Sequence, residues 1–130
     1  MHTVITFGTF DVFHVGHLNI LERARSLGNR LIVGVSSDAL NLRKKGRLPV
    51  YSQQERMAII RGMKYVDHVF LEESLELKAD YIEAHQAKML VMGDDWKGKF
   101  DHLSSLCEVV YLDRTPTIST TSIIEVIKQR

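Results

Sequence analysis

A short β-branched run followed by a longer amphipathic stretch recurs along the chain, and this alternation limits the folds open to it. The runs are "TVITF", "RLIVGVS", "VDHVFL", "KMLVMG" and "EVVYL"; the stretches are "LNILERARSLG", "SQQERMAIIRGM", "LELKADYIEAH" and "TTSIIEVIKQ". The runs are apolar on consecutive residues, as burial on both faces of a sheet requires. The stretches carry apolar residues at helical spacing, as at Leu18, Leu21 and Ala24, or at Met57, Ile60 and Met63. Strand and helix in repeated alternation imply an α/β fold with a mainly parallel sheet. Right-handed crossovers then favour one Rossmann-like, doubly wound domain over residues 1–130, with five strands, the first central, and helices on both faces. At 130 residues and 45% hydrophobic content, the chain can bury one core and is too short for two ordinary domains.

Seventeen basic against sixteen acidic residues leave a formal charge of +1, with no long basic block, so bulk electrostatics call for neither nucleic acid nor an anionic membrane. The opening "MHTVITFGTF" has no basic leader region, and its apolar run is far shorter than a membrane span; a cytoplasmic location is the expectation. The one cysteine, Cys107, beside "VVYL", is expected to be a small buried residue in a reducing compartment. The densest basic cluster, Arg43, Lys44, Lys45 and Arg47 around Gly46, falls in "SDALNLRKKGRLPVYS", which reads as a long irregular loop able to fold over an anionic ligand.

In a doubly wound sheet, ligands bind outside the carboxyl ends of the strands, where strand order reverses. That directs attention to "GTFDVFHVGH", "MGDDWKGKF" and "LDRTPTISTT", which follow the first, fourth and fifth runs. In the first, Gly8 ends a strand and "HVGH" begins a helix that runs through Leu27 with Gly28 as its stop. A helix start offers unpaired N–H groups and a partial positive charge, which suit phosphate. His14 and His17, three residues apart, would point the same way and donate to a phosphoryl oxygen as charge builds on it. A zinc hydrolase helix would instead place its histidines at i and i+4 with a glutamate between, whereas Val15 and Gly16 stand between these two. In the last segment, Ser119, Thr120 and Thr121 are helix-capping residue types following Arg114, more than a simple cap requires. In the middle one, Asp94, Asp95 and Trp96 follow Gly93 and suit either a ribose and base or a turn over the sheet.

Taken together, "GTFDVFHVGH", "YVDHV", "MGDDWKGKFD", "CEVVYL" and "RTPTISTT" resemble, in the same order and over essentially the whole chain, the HxGH cytidylyltransferases of the nucleotidyltransferase superfamily. The resemblance implies transfer of CMP from CTP to a phosphorylated alcohol with release of pyrophosphate, usually with Mg²⁺ and usually as a homodimer. It points first to sn-glycerol 3-phosphate as acceptor and CDP-glycerol as product, a precursor of teichoic-acid or capsule-type polymers. Phosphocholine, phosphoethanolamine or another polyol phosphate are the alternatives, with an ATP-dependent adenylyltransferase behind them. A binding module that kept the pocket and lost the chemistry is the reading from another class. By the motif match, His14 and His17 stabilise the α-phosphate transition state. Gly8, Thr9, Phe10, Asp94, Arg114, Thr115, Ser119, Thr120 and Thr121 line the nucleotide site, and Asp11, Arg47, Lys64 and Asp67 the acceptor side.

The chemistry needs no strong base, because a phosphate monoester is already anionic near neutral pH; it needs positioning and cations to bring two polyanions together. Lys44, Lys45, Arg47, Arg114 and Mg²⁺ bound with CTP would supply these, and no protein metal ligands are expected. The chain departs from the family pattern at three places. Thr117 stands where the family has glycine, Lys64 where it has an arginine before "YVD", with Arg61 one turn earlier, and Leu75 where it has a tryptophan.

Overall fold

The computed structural model describes residues 1–116 and 118–130. The five apolar runs form β1 (Thr3–Gly8), β2 (Arg30–Ser36), β3 (His68–Glu72), β4 (Met89–Gly93) and β5 (Glu108–Leu112), joined in one sheet of order β3-β2-β1-β4-β5. All of its pairings are parallel. Among the described residues five α-helices surround it: α1 (Val15–Ser26), α2 (Asp38–Lys45), α3 (Gln53–Arg61), α4 (Lys78–Ala84) and α5 (Thr120–Lys128). The doubly wound α/β expectation with a central first strand is met.

Consecutive strand residues face opposite sides, which is why the runs are unbroken in hydrophobicity. Val4, Leu31, Val33 and Val91 pack with Leu21 and Ala24 of α1 and Ile60 of α3, while Ile5, Ile32 and Leu90 pack with Ile82 of α4, Phe100 and Cys107. Cys107 is a buried free thiol, and burial pushes its pKa up.

The switch point has a measurable origin. β1 pairs with β4 from Val4↔Met89 only as far as Thr6↔Val91, a junction fixed by the Thr6 hydroxyl donating to the Val91 carbonyl at 2.6 Å. Beyond it β1 follows β2 as far as Gly8↔Val35, and β4 follows β5 as far as Gly93↔Leu112. The two central strands part company there, and the space between their ends becomes the crevice.

The stretch after β2 differs from expectation. Asp38–Lys45 is helical, so Arg43, Lys44 and Lys45 sit on the last turn of α2 and only Arg47 lies in irregular chain. The Ser37 hydroxyl caps the start by accepting from Leu40 N at 3.0 Å, and Gly46, at φ 75°, closes the end by donating to the Leu42 carbonyl at 2.9 Å. Asp38 in the first turn and three cations in the last also complement the helix dipole. α1 likewise ends at Ser26 with Leu27 as its cap residue. Gly28 serves a different purpose from the expected left-handed stop: a Cβ there would lie 2.4 Å from the His2 carbonyl oxygen.

Candidate active site

The turn after β1 is wound unusually tightly. Phe10 and Val12 both take positive φ, 55° and 48°, a region that costs a β-branched residue such as valine about 1–3 kcal/mol. The intervening Asp11 holds it there. Its carboxylate accepts from Val12 N at 3.1 Å, Tyr51 N at 2.9 Å and Val50 N at 2.7 Å, and its carbonyl accepts from the Thr120 hydroxyl at 2.8 Å. Thr9 is fixed from the other side, its hydroxyl donating to Asn41 Oδ1 at 2.9 Å and its carbonyl accepting from Arg56 Nη1 at 2.9 Å. Arg56 is fully buried and also donates to the carbonyls of Ser36 and Tyr51 and, at 2.7 Å, to the Asp38 carboxylate. One side chain thus ties the first turn, the end of β2 and the segment after α2 together.

The turn delivers His14 and His17 to the start of α1. His14 Nδ1 accepts from Gly16 N at 3.0 Å, and His17 Nδ1 accepts from His14 N at 3.2 Å, a reciprocal capping arrangement made by imidazoles. Because both Nδ1 atoms accept, each neutral ring carries its proton on Nε2 and keeps one N–H to donate. The rings stack at 3.8 Å between centroids and 24° between planes, with Phe10 and Phe13 against His17. Burial and the neighbouring His14 push the His17 pKa down to about 4, against a smaller upward pull from Asp11; burial alone lowers His14. Both rings are therefore neutral donors at neutral pH. Gly16 makes the stack possible, since a Cβ on it would come within 2.8 Å of His14 Cε1.

A cavity of about 780 Å³ opens at the parting of β1 and β4. Gly8, Thr9, Phe10, Asp11, His17, Lys44, Lys45, Arg47, Thr120 and Thr121 line it, as does Leu75. His14 is not among the lining residues and stacks on His17, which is. The start of α5 reaches the same cavity through Thr120 and Thr121, so the first turns of two helices share one mouth, with both positive dipole ends towards it, an anion-favouring arrangement. Ser119 is the N-cap of α5, its hydroxyl accepting from Ser122 N at 3.0 Å. Arg114 lies at the rim, 3.6 Å from Asp95, both side chains more than half exposed. Thr115 is held by Asn19, whose Nδ2 donates to its hydroxyl at 3.0 Å. Asp94 opens the short 3-10 turn Asp94–Trp96 after β4. Thr117 lies outside the described residues.

Two acceptor-side expectations are not met within one chain. Lys64 and Asp67 precede β3 and therefore sit at the amino edge of the sheet, away from the cavity at the carboxyl edge. Asp67 is structural there: it accepts from Leu31 N at 2.8 Å and pairs with Arg25 at 3.3 Å. Lys64 is exposed, its ammonium 5.2 Å from the Tyr65 ring centroid. Asp11 does border the cavity, but its carboxylate is committed to three backbone N–H groups and acts as a brace.

Conversely, sequence reading passed over Arg56, Glu72 and Lys78. Glu72, the last residue of β3, and Lys78, the first of α4, form a buried ion pair in the cavity wall. Arg56 shares the buried face of α3 with Ile60, four residues on, a faint signal that a charged residue was pointing inward. Burial lowers the Lys44 pKa, opposed by Glu72 and assisted by Lys45, Lys78 and Arg56.

The cavity lies at the carboxyl edge of a Rossmann-like sheet, and the cytidylyltransferase-like family profile matches residues 5–126. The chain belongs to the cytidylyltransferase-like family, and its activity class is nucleotidyl transfer. It is 49% identical to the glycerol-3-phosphate cytidylyltransferase of Bacillus subtilis (strain 168), over 96% of each chain. It is 43% identical to that of Staphylococcus aureus (strain NCTC 8325 / PS 47), over 95% of this chain and 92% of the relative. Among solved structures, the lipopolysaccharide core biosynthesis protein from Thermoplasma volcanium GSS1 superposes with a TM-score of 0.76 at 25% identity, covering 88% of this chain and 98% of its own. Among the described residues no helix is long and apolar enough to cross a membrane.

Proposed function

We propose that the protein transfers CMP from CTP to sn-glycerol 3-phosphate, giving CDP-glycerol and pyrophosphate. The observation that carries the chemistry is the stacked pair of neutral, Nδ1-anchored imidazoles at a helix start, of which His17 lines an anion-favouring cavity. The acceptor is the one for which the Bacillus and Staphylococcus glycerol-3-phosphate cytidylyltransferases are named.

In this reading a phosphate oxygen of the acceptor attacks the α-phosphorus of CTP in line. The new P–O bond forms as the bond from the α-phosphorus to the bridging β-oxygen breaks, and pyrophosphate leaves with that electron pair. An acceptor phosphate dianion has no proton to lose, so neither histidine acts as a base. The Nε2–H groups of His17 and His14 donate to the α-phosphoryl oxygens as their charge rises, a contribution that for one donor is about 10²–10³ in rate. The N-terminus of α5, with Thr120, Thr121 and Arg114, holds the β- and γ-phosphates, while Lys44, Lys45 and Arg47 draw in the acceptor phosphate.

Among the described residues no three metal-ligating side chains converge. A donor set this sparse suits Mg²⁺ carried by the triphosphate, where it neutralises charge, better than Mg²⁺ held in a protein cage. A homodimer is part of the proposal; it would give Lys64 and Asp67, remote from the cavity within one chain, a second surface to meet.

The test is pyrophosphate release with CTP or ATP, Mg²⁺ and a panel of phosphorylated acceptors. Turnover with CTP and sn-glycerol 3-phosphate at least tenfold above the others is expected. Turnover only with phosphocholine, phosphoethanolamine or another polyol phosphate would overturn the acceptor and keep the transfer; none with CTP would overturn both.

A further inference from the structure

Behind the acceptor side of the cavity, an ammonium of the chain itself occupies a site built for an ammonium. Lys78 is 3% exposed, and its Nζ is bonded to Glu72 Oε2. The same Nζ stands 4.2 Å from the centroid of the Phe7 ring and 5.1 Å from that of Phe100. Trp96 extends the aromatic wall, 5.4 Å from Phe100. The far oxygen of Glu72 accepts from the Ser36 hydroxyl at 3.3 Å, so the carboxylate cannot swing away freely. A fixed carboxylate flanked by aromatic faces is how proteins bind ammonium and quaternary ammonium groups, because the ring quadrupole attracts a desolvated cation. Phe7, Glu72, Lys78 and Trp96 all line the main cavity, so the cage is continuous with the space that receives substrate.

We propose that Lys78 is the internal occupant of an ammonium cage made by Glu72, Phe7 and Phe100, and that by filling it the chain restricts its acceptor to ligands presenting oxygen rather than cationic nitrogen. An ammonium has three N–H donors and Glu72 takes one, leaving donors for an oxygen-rich acceptor. A cationic headgroup arriving at the same wall meets a filled cage and the like charges of Lys78 and Lys44. Lys78 is in this sense a specificity-determining residue. The kinetic part of the inference rests on the cytidylyl-transfer reading above; the cage itself does not.

Removing the side chain should open the cage. In K78A, choline chloride or butylammonium chloride at ten times its Kd is expected to raise Tm by about 3–6 °C over sodium chloride of equal ionic strength. Neither wild type, whose cage is filled, nor E72Q/K78A, whose carboxylate is gone, should respond. With CTP, the kcat/KM ratio of phosphocholine to sn-glycerol 3-phosphate should rise at least tenfold in K78A. Equal Tm responses in wild type and K78A, or a response kept in E72Q/K78A, would overturn the cage. An unchanged kcat/KM ratio beside a genuine K78A response would overturn its role in specificity. Should K78A be unfolded alone, refolding from urea with butylammonium but not with sodium supports the cage, and failure with both, repeated in K78S, overturns it. If wild type releases no pyrophosphate from CTP with any acceptor of the panel, the transfer reading fails while the Tm comparison still decides the cage.

Discussion

Replacing Gly16 by alanine should separate stability from catalysis in this protein. A Cβ at that position would lie 2.8 Å from His14 Cε1 and 2.9 Å from His14 Nδ1, with Ile118 Cγ2 at 3.3 Å. The imidazole is a side chain free to rotate about χ1, so it yields more readily than the backbone. Its departure breaks the bond from Gly16 N to His14 Nδ1, a helix cap worth about 1 kcal/mol. Alanine in the first turn of α1 returns up to about 1 kcal/mol of helix propensity, so net stability should move by less than about 1 kcal/mol. Catalysis has no such offset. His14 loses the contact that fixes its proton on Nε2, and its stacking on His17 goes with it, which removes at least one aligned donor at the α-phosphate. A fall of about 10²–10³ in kcat is expected, with KM for CTP changed far less. Urea denaturation gives the stability, steady-state pyrophosphate release the rate, and ¹⁵N spectra of the imidazoles the tautomer. A variant with kcat within threefold of wild type would refute the claim that the capped histidine geometry carries the rate.

Asp11→Asn keeps the shape of the brace but turns one acceptor oxygen into a donor facing backbone N–H groups. A loss of about 1–2 kcal/mol in urea denaturation is expected, together with a fall in kcat as the turn bearing Phe10 and Val12 relaxes. The lowered His17 pKa has a signed consequence: the unfolded chain takes up a proton near 6.5 and the folded one only near 4, so stability present above pH 6.5 is lost as pH falls towards 4. The full loss is about 3 kcal/mol, read from chemical denaturation across that range. An NMR titration of the His17 imidazole should likewise show a midpoint well below pH 6.5, and a midpoint at pH 6.5 would show that the fold does not hold the ring neutral.

The parallel sheet was legible because burial on both faces leaves an unbroken apolar run, and the helices because their apolar residues recur at helical spacing. α2 was harder to see. Its buried face holds Leu40 and Asn41, so its amphipathic signal is weak, and Ser37 and Gly46 declare it only through capping chemistry. In the site, His14, His17, Thr120, Thr121 and the α2 cations could be picked out because residue type and order along the chain suffice. Asp11 could be picked out too, but not its task, since its partners Val50 and Tyr51 lie about forty residues away in sequence.

By itself, then, the sequence determined the class of fold, the strand-to-helix turn carrying the histidines and the family, because each depends on local pattern or motif order. The tertiary structure decided which charges face inward. Arg56 is buried because four separated acceptors converge on it, and Lys78 because Glu72 and two aromatic rings receive its ammonium. It also placed Lys64 and Asp67 at the far edge of the sheet, since strand direction fixes which end of β3 a residue reaches. Burial of a charge depends on partners brought from distant segments, and no local reading of the chain contains them.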